Sequence, residues 1–148
     1  MMKKITKIFA FIAMIILLSA CGEKKVLKTE DMVSKLSNNG FIVTDVTKQM
    51  EDPSVTYVAS ANNGKFQIEY YVFETKKQAK AAYTNNKKSF ETNKTKGKET
   101  SGDTYNKYVQ ELSDTYNVIT RVDNTLLYAS VNIEYKGTLK NVLKDLGY

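Results

Sequence analysis

The chain has 148 residues, with 22 Lys or Arg against 16 Asp or Glu, no His, no Trp, one Cys and one Pro. Without His there is no Ser-His-Asp or Cys-His arrangement, and the usual nitrogen ligands of transition metals are missing. A net charge of +6 does not by itself argue for a nucleic-acid partner.

The chain opens with a basic start, Lys3, Lys4 and Lys7, and an uncharged run over 8–18. As a helix that run would rise about 16 Å at ~1.5 Å per residue, too short for a bilayer core of about 30 Å. Small residues Ser19 and Ala20 follow, as a signal peptidase requires. The motif Leu18-Ser19-Ala20-Cys21 in this position resembles the lipobox of bacterial lipoproteins. The resemblance implies that 1–20 is a signal peptide and that Cys21, carrying a diacylglycerol thioether, becomes the first mature residue. It implies a palmitate-type anchor on the extracytoplasmic face of the cell membrane. Two acyl chains hold a domain there stably, whereas one anchors only marginally. The alternatives are an ordinary signal peptide that happens to hold a cysteine, or a buried apolar segment. Loss of 1–20 removes three lysines and no acid, leaving a net charge of about +3, too weak to point to nucleic acid. With Cys21 occupied, no thiol remains for a disulfide.

Residues 21–28 form the lipidated Cys and a short charged tether, and 29–148 a single domain. A helix is expected over 29–38. Thr29 can cap it, Glu30 and Asp31 suit its positive end, and Met32, Val33 and Leu36 form its apolar face. Asn39-Gly40 stops it. Residues 41–46 alternate as a strand, with Phe41 and Val43 on one face. A connection over 48–54 holds Pro53, and 55–60 is a second strand. Asn62-Asn63-Gly64 is a hairpin signal, because Asn and Gly tolerate positive φ. The third strand spans 65–74. Phe66, Ile68, Tyr70 and Val72 share one face, and Gln67, Glu69, Tyr71 and Phe73 the other.

Thr75 and Gln78 fit a capping box. The helix it opens carries Ala79, Ala82, Tyr83, Asn86 and Phe90 at helical spacing and frays near Asn93. Residues 94–103, polar with two glycines, read as an exposed loop. Strands follow over 105–112, 116–122 and 126–135, the last two joined at Asp123-Asn124. Leu127, Ala129, Val131, Ile133 and Tyr135 face one way on the last strand, and Tyr128, Ser130, Asn132 and Glu134 the other. Leu139, Val142, Leu143 and Leu146 mark a core-facing helix over 138–146, ended by Gly147.

The expected order is α-βββ-α-βββ-α. It implies an α+β, two-layer domain: an antiparallel sheet of about six strands with helices on one face and the other face partly open. The two hairpins hold matching places before a strand and a helix, either as a duplicated unit or as a chance likeness.

No glycine-rich phosphate loop and no EF-hand pattern is present. No catalytic residue, metal or cofactor is assigned. Glu69 and Glu134, if they share the non-helix face, are either a carboxylate pair or solvated strand residues. Tyr71, Phe73 and Tyr128 fall on the face assigned away from the helices and form the candidate binding face. The alternative is that Tyr simply favours half-buried strand positions. Lys87, Lys88, Lys94, Lys96 and Lys98 make a basic stretch, which either rests on an anionic surface or is a solvated loop. The leading expectation is a non-enzymatic binding or interaction module, with a cell-envelope protein or a wall polymer as partner. An inhibitor or immunity-type lipoprotein, a cell-wall-directed hydrolase and a self-associating structural protein are the competing classes.

Overall fold

The computed structural model describes residues 24–91 and 95–148. The elements run α1 (Thr29–Asn38), β1 (Ile42–Asp45), β2 (Val55–Asn62), β3 (Gln67–Phe73), α2 (Lys76–Glu91), β4 (Lys98–Ser101), β5 (Tyr105–Glu111), β6 (Thr115–Val122), β7 (Thr125–Asn132) and α3 (Lys136–Asp145). Short 3-10 turns at Thr47–Gln49 and Ile133–Tyr135 complete the order. One antiparallel sheet holds all seven strands in the order β1-β2-β3-β7-β6-β5-β4.

The elements form largely where the pattern places them. Met32 and Leu36 of α1 are fully buried, and Gly40 at φ +84° turns the chain so that Phe41 enters the core. Thr29 is not the cap: Lys28 precedes the helix, with no side-chain cap bond. The box at the start of α2 does close. The Thr75 N–H donates to Gln78 Oε1 (2.9 Å), and the Gln78 N–H donates to Thr75 Oγ1 (3.2 Å). In the β2–β3 turn, Asn62 accepts from the Gly64 N–H and Asn63 from the N–H groups of Lys65 and Phe66. Asp123, in the β6–β7 turn, takes a positive φ of 56°.

Three expectations about the sheet and its layers are corrected. First, the sheet has a seventh strand, β4, inside the segment read as a loop. Its four residues are all exposed. A charged, short strand at a sheet edge has no apolar alternation to betray it. Gly97 lets it dock: a Cβ there would lie 2.2 Å from the Val109 carbonyl oxygen. Second, the last strand ends at Asn132, whose side chain accepts from the Glu134 N–H and caps the 3-10 turn. Third, the helices lie on both faces. α1 and α3 pack against Ile68, Tyr70, Val118 and Leu127. α2 packs through Ala79 and Tyr83 against Phe73, Tyr108, Ile119 and Leu126. The domain therefore has three layers, because neighbouring residues of the central strands, such as Val118 and Ile119, are apolar on opposite faces. The helices after the two matching hairpins also fall on opposite faces, unlike copies related by an axis normal to the sheet.

Leu143 of α3 is 1% exposed inside the larger core. Leu143→Ala should cost about 2–5 kcal/mol by chemical denaturation; a loss of a few tenths would refute this packing. Tyr148 closes the same core. Its N–H donates to the Leu143 carbonyl (2.8 Å), and its hydroxyl shares a 2.5 Å hydrogen bond with Thr125 Oγ1. Burial pushes its phenol from 10.0 up to about 12, against a downward pull from the Thr125 hydrogen bond. A phenol that ionises less readily folded than unfolded contributes stability below pH 10 that is lost between pH 10 and about 12. Unfolding measured across that window should show the loss, and Tyr148→Phe should make it smaller.

Candidate functional site

The binding-face residues stay together, but the face is not open. Tyr71 and Phe73 of β3 and Tyr128 of β7 lie on the side covered by α2. They form the floor of a cleft of about 470 Å³. Ala82, Asn86 and Phe90 of α2 line one wall, and Met50 and Asp52, from the connection before β2, line the other. Phe73 is only 5% exposed, so it supports the floor. Val55 reaches the cleft because the β2 register shifts between Val55 and Tyr57. That irregularity turns Val55 toward α2 while Tyr57 faces the opposite core.

The rings are stacked. Phe90 lies parallel to Tyr128 at 5.6 Å between centroids and nearly parallel to Tyr108 at 6.2 Å. Tyr71 stacks on Phe73 at 6.4 Å. The Tyr71 hydroxyl donates to Glu69 Oε2 (2.6 Å), and the Gln67 amide donates to Glu69 Oε1 (3.2 Å). Burial first, and Glu69 second, hold the phenols of Tyr71 and Tyr128 above their ordinary value. Both are neutral near pH 7, so they offer rings and hydroxyl donors rather than a phenolate nucleophile. Asp52 accepts from the hydroxyl and N–H of Ser54, which keep its carboxyl below the usual range.

A polar chain inside the sheet face fixes the Phe90 end of α2. Ser130 donates to Asn117 (2.6 Å), and Asn117 donates to Gln110 (3.1 Å). The Gln110 amide donates to the Phe90 carbonyl (2.9 Å) and the Thr95 carbonyl (2.6 Å). Gln110 is 1% exposed. Its role was not read from the strand pattern; a polar residue on the same face as Tyr108 is the one signal for it.

The other sites fare differently. Glu134 leaves the sheet with the end of β7, while Glu69 sits opposite Tyr128, so no Glu69–Glu134 pair stands on one face. The basic stretch does not form one surface. Lys87 pairs with Glu99, which also accepts from the Tyr83 hydroxyl (2.9 Å). Lys88 is exposed on α2, and Lys98 belongs to β4. Lys94, the fraying point near Asn93, Cys21 and the signal 1–20 lie outside the described residues. Among the described residues, no three Cys, Asp or Glu side chains gather as metal ligands, and no helix is long and apolar enough to cross a membrane. No protein-family model matches the chain, and no curated protein matches it.

Gln110→Leu should destabilise the fold by about 1–3 kcal/mol, because Asn117 and two carbonyls lose a buried partner. Hydrogen exchange should quicken at the end of α2 and stay unchanged in α3. Equal acceleration in both helices would remove the clamp from this account.

Proposed function

We propose that the protein is a membrane-anchored extracytoplasmic lipoprotein, held by Cys21, that works as a non-enzymatic binding module. The observation that carries the binding reading is the cleft beside α2. Its volume lies in the range of ligand pockets, and its lining combines four aromatic side chains with the polar groups of Asp52, Glu69, Asn86 and Ser89. A flat or apolar segment of a cell-envelope protein fits it by stacking on Tyr128 and Phe90, with Glu69 as a fixed acceptor. A wall polymer is the second ligand class, since sugar rings also stack on aromatic faces. The hydrolase reading draws less support. Of the two cleft carboxylates, Asp52 is held low by Ser54, and both oxygens of Glu69 are engaged by neighbours. General acid chemistry calls for a carboxyl raised toward the working pH.

A photo-crosslinking residue at Met50, on the exposed rim, should capture one dominant envelope protein on intact cells. The same probe at Lys80, on the exposed side of α2, should not. Tyr128→Ala should weaken capture about tenfold or more, as loss of an interface anchor does. Self-crosslinks alone would make the cleft a dimer interface, and capture unaffected by Tyr128→Ala would place the binding site elsewhere.

A further inference from the structure

Four lysines of this fold meet acids: Lys35 with Asp145, Lys76 with Asp123, Lys87 with Glu99 and Lys136 with Glu111. Among the described lysines outside these pairs, four gather in one place. Lys98 of β4, Lys107 of β5 and Lys140 and Lys144 of α3 line one groove of about 500 Å³, on the sheet face opposite the aromatic cleft. No Asp or Glu side chain lines that groove; Glu111, paired with Lys136, lines the adjoining pocket that shares Lys98, Tyr116 and Lys140 with it. None of the four has an ion-pair partner among the described residues. Lys107 is half-buried, Thr100 and Asn141 add neutral hydrogen-bonding groups to the walls, and Tyr116 and Tyr148 line the groove from the core below. Burial first, and then the charges of Lys24 and Lys140, push the Lys107 amine below its ordinary value. Several cations around a partly desolvated amine, with no acid among them, form a site completed by an anion.

The position of Lys24 indicates which anion. Its amine sits over the Tyr105 ring at 5.1 Å, and its charge acts on Lys107. Three residue steps separate Lys24 from Cys21, a reach of at most about 11 Å. If Cys21 is lipidated, this groove is held at the membrane surface, while the aromatic cleft opens on the other face of the sheet. We propose that the lysine groove between α3 and the β4–β5 edge takes the phosphate of an anionic phospholipid headgroup, and so orients the anchored domain with its cleft away from the bilayer. This rests on the reading of Cys21 as the anchor.

The test uses the full mature protein, reconstituted in vesicles, with a nitroxide on Asn141→Cys at the groove. With phosphatidylglycerol in the vesicles, the nitroxide should be shielded from a water-soluble relaxation agent. In phosphatidylcholine alone it should stay accessible. Each of Lys107→Gln, Lys140→Gln and Lys144→Gln should lower the ratio of docked to free domains about fivefold, the equivalent of one lysine at an anionic surface. High salt should restore nitroxide accessibility in the protein with all its lysines intact, an arm that does not depend on how the lysine variants fold. Mass spectrometry of Cys21 is read on the same sample. A nitroxide equally accessible in both vesicles on a lipidated protein overturns the groove assignment and leaves the anchor standing. Absence of diacylglycerol from Cys21 overturns the anchor, and this inference with it. Recovery of nitroxide accessibility on anionic vesicles in millimolar inorganic phosphate at constant ionic strength reassigns the groove to a free phosphate and overturns the lipid assignment.

Discussion

The structure depends on the short antiparallel seam between β3 and β7, where Glu69, Tyr70, Tyr71 and Val72 pair with Tyr128, Leu127, Leu126 and Thr125. This seam joins the β1–β2–β3 meander to the β5–β6–β7 meander. It places two strands with apolar residues on both faces at the centre of the sheet. Tyr70 and Leu127 enter the core under α1 and α3, while Leu126, with Phe73 just beyond the seam, enters the core under α2. A sheet buried on both faces needs a cover on each side, because apolar surface left in water forfeits about 25 cal/mol per Å². The three-layer arrangement follows from that requirement.

The same seam builds the cleft. Glu69 and Tyr128 are direct cross-strand partners, and Tyr71 reaches back to Glu69 on its own strand. α2 covers only part of this face, because its contacts lie on β3 and the strands from β7 toward β5. The remaining floor is bounded by the connection that carries Met50 and Asp52. The cleft is thus the gap between a helix and a loop that share one aromatic floor. Its rim position is maintained by Gln110, which ties the end of α2 to the sheet from below.

The two faces differ in their chemistry. On the α2 side Glu99 lies between Lys87 and Tyr83. On the α3 side, lysines from three separate elements converge in a groove that no Asp or Glu side chain lines. Lys98, Lys107, Lys140 and Lys144 are spread over 47 positions of the chain, so no linear window of sequence displays the cluster. The basic run that such a window does display, beginning at Lys87, is divided by the fold between different surfaces.

Local structure is written in short stretches of the chain. The 3.6-residue period of Leu139, Val142 and Leu143, the Thr75–Gln78 box, the Asn62-Asn63-Gly64 turn and the two-residue alternation of β3 are encoded by neighbours a few positions apart. They also determined which residues share a face, so Tyr71, Phe73 and Tyr128 could be grouped correctly. What each face meets is set by the packing of the whole domain. Alternation in β6 and β7 is blurred because both faces are buried, so nothing local marks the side that α2 chooses. β4 exists as a strand only through its bonds to β5, and Glu134 leaves the sheet because Asn132 caps a turn. The lysine groove and the Gln110 clamp are likewise products of residues far apart in sequence, brought together by pairing that no periodicity records.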